Sequence, residues 1–536
     1  MTEALTVLDC TLRDGGYYTN WIFPRPLVED YLAACSAAGI DVVEIGFRYA
    51  RKDQFLGPYA YMTDNFLATL PLPAGLRIGV MVNAADLLAH GDGPAAAIHQ
   101  LFQPAERSPV SLVRIAANAD AVAACEPAVR ALESLGYGIG FNIMQITRST
   151  PAAISQVAER IAGWTGIEVL YFADSLGNMR DGQVRACCEA LRRGGWRGPL
   201  GIHAHDNMGR ALINTLEAVD AGAAWVDGTI LGMGRGAGNA RTEFLLCEVA
   251  RREPRARRNV EALLPLVAGD FPALQRLHGW GANLLYFLSA QNDIHPTYVQ
   301  TMQAEGRFDA TEILGALNTL KSMKGYSFSI DTLVRALGET PSAERGTWTA
   351  SGWLDGRDVL LLAPGAGSVE HGEALVDYIR RERPAVLCLN LATAIPRDLI
   401  TAYVACHPQR ILMEQNSYRT LGRPLVVPTA FLPDAPKDVT LDYGLRVGPG
   451  QFEAGPQGCV VPVLLVAVYA LAVATASGAR RILLAGFDGY GAADARQMEM
   501  VKAFELYHAM PGARPVVAIT PTAYPVTQSS VYAPEV

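Results

Sequence analysis

Eight short apolar runs, each followed by a stretch of helix length, fill the first half of this 536-residue chain. They lie at about Leu5 to Thr11, Val42 to Phe47, Arg77 to Asn83, Leu112 to Ala117, Gly138 to Met144, Val169 to Asp174, Leu200 to Asp206 and Trp225 to Ile230. The runs have strand length and turn residues between them, and the intervening stretches carry helix signals. Pro26 opens one helix that Gly39 closes, and Pro151 opens another after Ser149 and Thr150. Eight βα units in about 250 residues predict a closed (β/α)8 TIM barrel over residues 1–252. An open doubly wound sheet is the alternative.

Barrels of this kind gather their chemistry at the C-terminal ends of the strands. The first run closes on LDCTLRDGG, which brings Arg13 and Asp14 to that end, and the seventh closes on GIHAHDN. In a strand, residues i and i+2 share a face, so His203 and His205 point together while Ala204 points away. Two imidazoles with the Asp14 carboxylate form a mixed nitrogen and oxygen set suited to a divalent cation with open positions. Without the barrel, the histidines would be polar residues at a strand end and Arg13 with Asp14 a surface ion pair. Strand eight falls between strands one and seven in a closed ring. It leads into the loop Gly232 to Asn239, where Asn239 either caps the next helix or offers its carbonyl oxygen to the metal. The loop's GxGxxG-like run tempts a dinucleotide-binding reading, but it follows the eighth strand and lacks the surrounding Rossmann unit.

Five motifs then stand in order: LDCTLRDGG, VVEIGF (Val42 to Phe47), FADSLGN (Phe172 to Asn178), GIHAHDN and GRGAGNA (Gly234 to Ala240). Together they resemble the DRE-TIM metallolyases, the superfamily that includes 4-hydroxy-2-oxovalerate aldolase, isopropylmalate synthase and hydroxymethylglutaryl-CoA lyase. The resemblance implies that Asp14, His203 and His205 bind Mn2+ or Mg2+ and that Asn239 is a further ligand, as in the condensing members. It also implies that Arg13 steadies an enolate oxygen and that Glu44 belongs to the catalytic signature. A 2-oxo acid chelated by the cation would form a metal-bound enolate, with Arg13 stabilising the negative charge.

One position departs from the pattern. The aldolases carry a histidine base three residues after the metal-binding aspartate, where this chain has Tyr17. The base is therefore sought among Tyr17, Tyr18, a metal-bound hydroxide, and Tyr286 or His295 from the segment WGANLLYFLSAQNDIHPTYV. Arg48, with Lys52, could hold a carboxylate or phosphate of the substrate or lie on a solvated face. Asn142, Gln145 and Ser175 could orient substrate. Arg114, among apolar neighbours, belongs either to a core ion pair or to a ligand contact, and Trp21, Phe55 and Tyr59 could line a pocket or simply pack.

Residues 253–337 read as a helical region over or beside the barrel, and 338–352 as a polar linker. Residues 353–536 read as a separate Rossmann-like α/β domain. Its first strand, Asp358 to Ala363, runs into Gly365, Gly367 and Ser368, a turn that could cradle a phosphate or nucleotide. This turn and ILLAGFDGYG (Ile482 to Gly491) faintly resemble the Rossmann-like domains of sialyltransferase-type proteins, and His371, Glu414 and Asp488 stand out within the domain. The apolar run Cys459 to Ala476 contains Pro462 and lacks an aromatic or basic belt, so it reads as a buried helix rather than a membrane span.

A net charge of −8 argues against nucleic acid and anionic membrane as partners. Nine scattered cysteines and no signal peptide point to a reduced cytoplasm. The expected activity is a metal-dependent aldolase, a carbon–carbon lyase that forms or cleaves a 4-hydroxy-2-oxo acid from a 2-oxo acid and an aldehyde through a pyruvate enolate. The alternatives are an acyl-CoA condensing or cleaving enzyme of the same superfamily, and a bifunctional or scaffold protein whose C-terminal domain binds a nucleotide-sugar. A homo-oligomer is expected, its order not legible.

Overall fold

The computed structural model describes residues 5–52, 55–253, 258–306, 308–337, 345–391, 395–420, 422–429, 439–490 and 494–532. The chain forms two compact units, Met1–Ala304 with Lys324–Phe328, and Glu305–Met323 with Ser329–Val536. The division falls inside the expected helical region, so its helices are shared between the units.

In the first unit β1 (Thr6–Asp9), β2 (Val42–Phe47), β3 (Arg77–Asn83), β4 (Val110–Asn118), β5 (Gly138–Met144), β6 (Ile167–Asp174), β7 (Leu200–Ala204) and β8 (Trp225–Gly228) pair in chain order. All pairings are parallel, and β8 closes on β1 with Thr6 opposite Trp225. Closure excludes the open sheet. The helix Arg25–Ala38 has proline in its first turn and ends on Gly39, and Thr150 caps Pro151–Ala162 by accepting the Ala153 N–H at 3.2 Å.

Two strand ends differ from the sequence reading. β1 stops at Asp9 because that carboxylate accepts the backbone N–H of Thr11 at 2.9 Å and its hydroxyl at 2.6 Å, which starts helix α1 (Thr11–Thr19). Arg13 and Asp14 thus lie on a helix rather than at a strand tip. β7 stops at Ala204, and His205 forms an isolated bridge with Asn239.

Period 2 sorts the barrel interior into layers. Leu8, Val42, Leu112, Val169, Tyr171 and Trp225 belong to one apolar cluster. Two residues further along the same faces stand Glu44, Arg114, His203 and Asp227, all buried. A larger apolar cluster joins the outward faces of the strands to the surrounding helices.

The second unit is built on an eight-stranded parallel sheet of order β13-β12-β11-β10-β9-β17-β18-β19. Its strands are β9 (Asp358–Leu362), β10 (Ala385–Leu389), β11 (Ala402–Val404), β12 (Leu425–Val427), β13 (Thr440–Asp442), β17 (Arg481–Ala485), β18 (Val516–Ala518) and β19 (Thr527–Gln528). A small sheet of β14 (Gly444–Val447), β15 (Glu453–Ala454) and β16 (Gly458–Val461) interrupts that series. From β9 the chain winds outward to β13 and then returns to the other side of β9 at β17. This reversal is the Rossmann-like feature.

The apolar run from Cys459 splits into the end of β16 and a buried helix, Val466–Ala476. Among the described residues no helix is long and apolar enough to cross a membrane. Of the expected linker, 338–344 lie outside the described residues. The remainder is fastened to the second unit, with the N–H of Thr347 donating to Asp442 Oδ2 at 2.8 Å and that of Ala350 to the Pro456 carbonyl at 2.8 Å.

Candidate metal centre

Asp14 projects from the first turn of α1, and one ligating atom from each of Asp14, His203 and His205 lies within 4.8 Å of the others. Burial pushes the Asp14 carboxyl up, but Arg13, His205, His203 and Arg235 together hold it well below the usual carboxylate range. Burial pushes the His205 imidazole down to about 3, so it is neutral and its lone pair is available. His203 Nδ1 stands 2.9 Å from Asp227 Oδ2, which leaves Nε2 for a ligand.

A charged chain leads away from this triad inside the barrel. Arg13 donates from Nη1 to Asp14 at 2.7 Å and from Nε to Glu44 at 2.6 Å. Arg114 donates to both Glu44 oxygens at 2.5 and 2.7 Å, and from Nη1 to Asp227 at 2.7 Å. Asp227 then meets His203, so the relay returns to the metal triad. Every member is buried. Burial raises the Glu44 and Asp227 carboxyls, yet Arg114 and the other partners win and both end below the ordinary range.

The loop after β8 covers the triad from the other side. Asn239 Nδ2 donates to Asp14 Oδ2 at 2.5 Å, and a side chain at Gly234 would collide with both groups. Asn207 fastens the surrounding loops, accepting the Ala237 N–H at 2.8 Å and donating to the Leu176 carbonyl at 3.0 Å. Three buried atoms here have no hydrogen-bond partner among the described residues: His203 Nε2, His205 Nδ1 and Asn239 Oδ1. Buried polar atoms without partners are costly. A carboxylate, two imidazoles and an amide carbonyl are the donor set a divalent cation would satisfy. Arg13 Nη2, also buried and unpartnered among the described residues, is the nitrogen of that guanidinium left for a substrate oxygen.

Other predicted residues fall elsewhere. Glu44 accepts from Arg13 and Arg114. Arg48 donates to the Met62 carbonyl and to Asp64, and Lys52 pairs with Asp86. Ser175 accepts the Gln145 N–H at 3.0 Å and so ties down the loop after β5. Asn142 is buried on β5 with Oδ1 unpartnered among the described residues, open to a substrate donor. Phe55 is 85% exposed and lines nothing buried, whereas Trp21 and Tyr59 pack in the core.

Among the phenols, Tyr17 packs edge-on against Trp21 and Phe47 with the Arg235 guanidinium 5.4 Å from its ring. Tyr18 donates to the Gly236 carbonyl at 2.6 Å and meets the Tyr286 hydroxyl at 3.1 Å. Burial raises both phenols, Tyr286 to about 12, so neither is a base at neutral pH. His295 is held neutral by burial and by the neighbouring charge of Arg235. Sequence reasoning missed Asp227 and Arg235. The parity of β8, with Asp227 two residues past the inward Trp225, was the available signal for the first.

In the second unit the glycine turn differs from a phosphate cradle. The N–H of Gly365 donates to the Gly486 carbonyl, that of Ser368 to the Gly365 carbonyl, and that of Gly367 to Asp488 Oδ1 at 2.9 Å. These three N–H groups are thus already engaged.

Known proteins agree with the barrel geometry. The HMGL-like family profile matches residues 4–266. A 4-hydroxy-2-oxovalerate aldolase of Carboxydothermus hydrogenoformans is 30% identical over 265 residues, 47% of this chain and 72% of the relative. The chain belongs to the HMGL-like family. Within this DRE-TIM group, an oxaloacetate decarboxylase of Mycobacterium tuberculosis is 32% identical over 250 residues, 46% of this chain and 70% of the relative. The N-terminal domain of an aldolase candidate from Bacteroides vulgatus superposes with a TM-score of 0.50 at 28% identity, covering 62% of this chain and all of that one. This HMGL-like chain is accordingly an enzyme of the lyase class to which those aldolases and decarboxylases belong.

Proposed function

We propose that the barrel is a divalent-metal-dependent aldolase that makes or cleaves a 4-hydroxy-2-oxo acid by way of a pyruvate enolate. The observation that carries this reading is the unpartnered Arg13 Nη2 beside the Asp14, His203 and His205 set. When bound, Mn2+ or Mg2+ would supply Lewis-acid polarisation of the 2-oxo carbonyl. Asp14, His203, His205 and Asn239 would hold it. Arg13, fixed by Asp14 and Glu44, sets a permanent positive charge against the oxygen that becomes the enolate. Asn142 Oδ1 accepts from the hydroxyl of the 4-hydroxy-2-oxo acid. The buried Tyr286 hydroxyl stays protonated and turns from Tyr18, whose own proton goes to the Gly236 carbonyl, to donate to the oxygen of the aldehyde partner, and the neutral His295 imidazole accepts its proton in the cleavage direction.

Tyr17 supports a second reading, decarboxylation of a 2-oxo dicarboxylic acid. Loss of carbon dioxide produces the same enolate without removing a hydroxyl proton, so it needs no base at position 17. Pyruvate release from 4-hydroxy-2-oxo acids and from oxaloacetate, each with Mn2+ or Mg2+, tests both. Turnover of the hydroxy acids supports the aldolase, turnover of oxaloacetate alone supports the decarboxylase, and release from neither overturns the pyruvate-enolate reading.

A further inference from the structure

A cavity of about 350 Å³ opens at the carboxyl edge of the C-terminal sheet. Its size lies in the usual range for small-molecule sites, about 300–1,000 Å³. In an open parallel sheet, connections from two neighbouring strands leave toward opposite faces where the strand order reverses, and a crevice remains between them. Here those strands are β9 and β17. The cavity is lined by Ala363 to Gly365 after β9, Asn390 after β10 and Gly486 to Tyr490 after β17. Asn390 is held in the left-handed region with φ 55, a strain that collects at ligand sites.

Asp488 dominates the polar chemistry of this cavity. Its Oδ1 accepts the Gly367 N–H at 2.9 Å, and side chains at Gly365 or Gly367 would collide with the carboxylate. The glycine turn thus grips the protein's own anion. Asp488 Oδ2 is buried and has no hydrogen-bond partner among the described residues, and Asp488 is one of the residues that line the cavity. The cations nearby are committed: Arg496 to Asp494 at 2.6 Å and Arg410 to Asp309. The unmet demand is therefore for neutral donors, which on a small molecule are hydroxyl groups. Leu465, Phe487, Met500 and Tyr524 supply an apolar wall for the ring that carries them.

We propose that this cavity binds a ring with vicinal hydroxyls, a ribosyl or glycosyl group, whose hydroxyls donate to Asp488 Oδ2. This site stands apart from the barrel and does not depend on its reaction.

Calorimetric titration of the full chain tests it. The probes are the four common ribonucleoside 5′-monophosphates, their 2′,3′-dideoxy forms, and hexoses and N-acetylhexosamines with their deoxy forms. At least one hydroxylated probe is expected to bind with Kd below about 1 mM. Its deoxy counterpart should bind at least about tenfold more weakly, as should the intact probe to Asp488→Asn. A ribonucleotide assigns the site to ribosyl groups, and a hexose assigns it to glycosyl groups. Absence of any such binder, or binding indifferent to loss of the hydroxyls, overturns the proposal. The deoxy comparison uses unaltered protein and remains decisive if Asp488→Asn does not fold.

Discussion

In the barrel the Asp14 carboxylate is held by a guanidinium that is itself held by a second carboxylate, and so on through Arg114 and Asp227 to His203. In the C-terminal sheet the Asp488 carboxylate is held by one backbone N–H of a glycine turn. Both carboxylates sit beyond the carboxyl ends of parallel strands. The closed ring brings inward-facing residues of several strands to one axis, so each buried charge meets a counter-charge. The open sheet offers only the strands beside its reversal, and backbone takes over the task. The barrel arrangement fixes geometry tightly and makes each member expensive to remove. The sheet arrangement leaves one carboxylate oxygen for an incoming molecule.

Removing a barrel charge should cost most. Glu44→Gln leaves Arg13 and Arg114 without their shared partner, and is expected to lower stability by about 3–5 kcal/mol in urea denaturation. An unchanged midpoint would show that the buried relay contributes little. Asp227→Asn should act on the metal more than on the fold, weakening Mn2+ affinity about 10–100-fold in a calorimetric titration because His203 loses its orienting partner.

Acid should reach the barrel through the same groups. Glu44 and Asp227 titrate below their unfolded values, which lie near pH 4. The unfolded chain therefore takes up protons first. Their contribution is present at neutral pH and is lost as pH falls through the lowered folded values. Urea midpoints at pH 7, 5, 4 and 3 should fall more steeply below about pH 4 in the unaltered protein than in Asp227→Asn. The smallest effect belongs to the surface of the second unit. Arg480, 65% exposed, pairs with Asp358, and Arg480→Ala should change stability by no more than about 1 kcal/mol. A loss as large as that of Glu44→Gln would erase the contrast between buried and exposed pairs.

The strand runs were legible because period and length are local, and β2, β3 and β5 have the expected ends. β1 was read too long because Asp9 turns the chain into α1 through its own hydrogen bonds, a decision made by one side chain. The grouping of Asp14, His203 and His205 was legible from motif and parity. The relay was not, since Arg114 selects Asp227 from 113 residues away. Likewise the glycine turn of the second unit reads locally as a phosphate cradle, while the carboxylate that fills it arrives from 121 residues further along the chain. Burial and partner choice are absent from a local reading, so the partners of Glu44, Arg48 and Ser175 were not legible either.

Exchange of pyruvate methyl protons in D2O, followed by NMR with Mg2+ as the metal, addresses the barrel site most directly. The unaltered chain should exchange them only when the ion is present, and Asp14→Asn should slow exchange at least about 10³-fold, the loss of several kcal/mol of charge stabilisation. Metal-independent exchange, or exchange that survives Asp14→Asn, would contradict the account of Asp14, His203 and His205 as the seat of enolate chemistry.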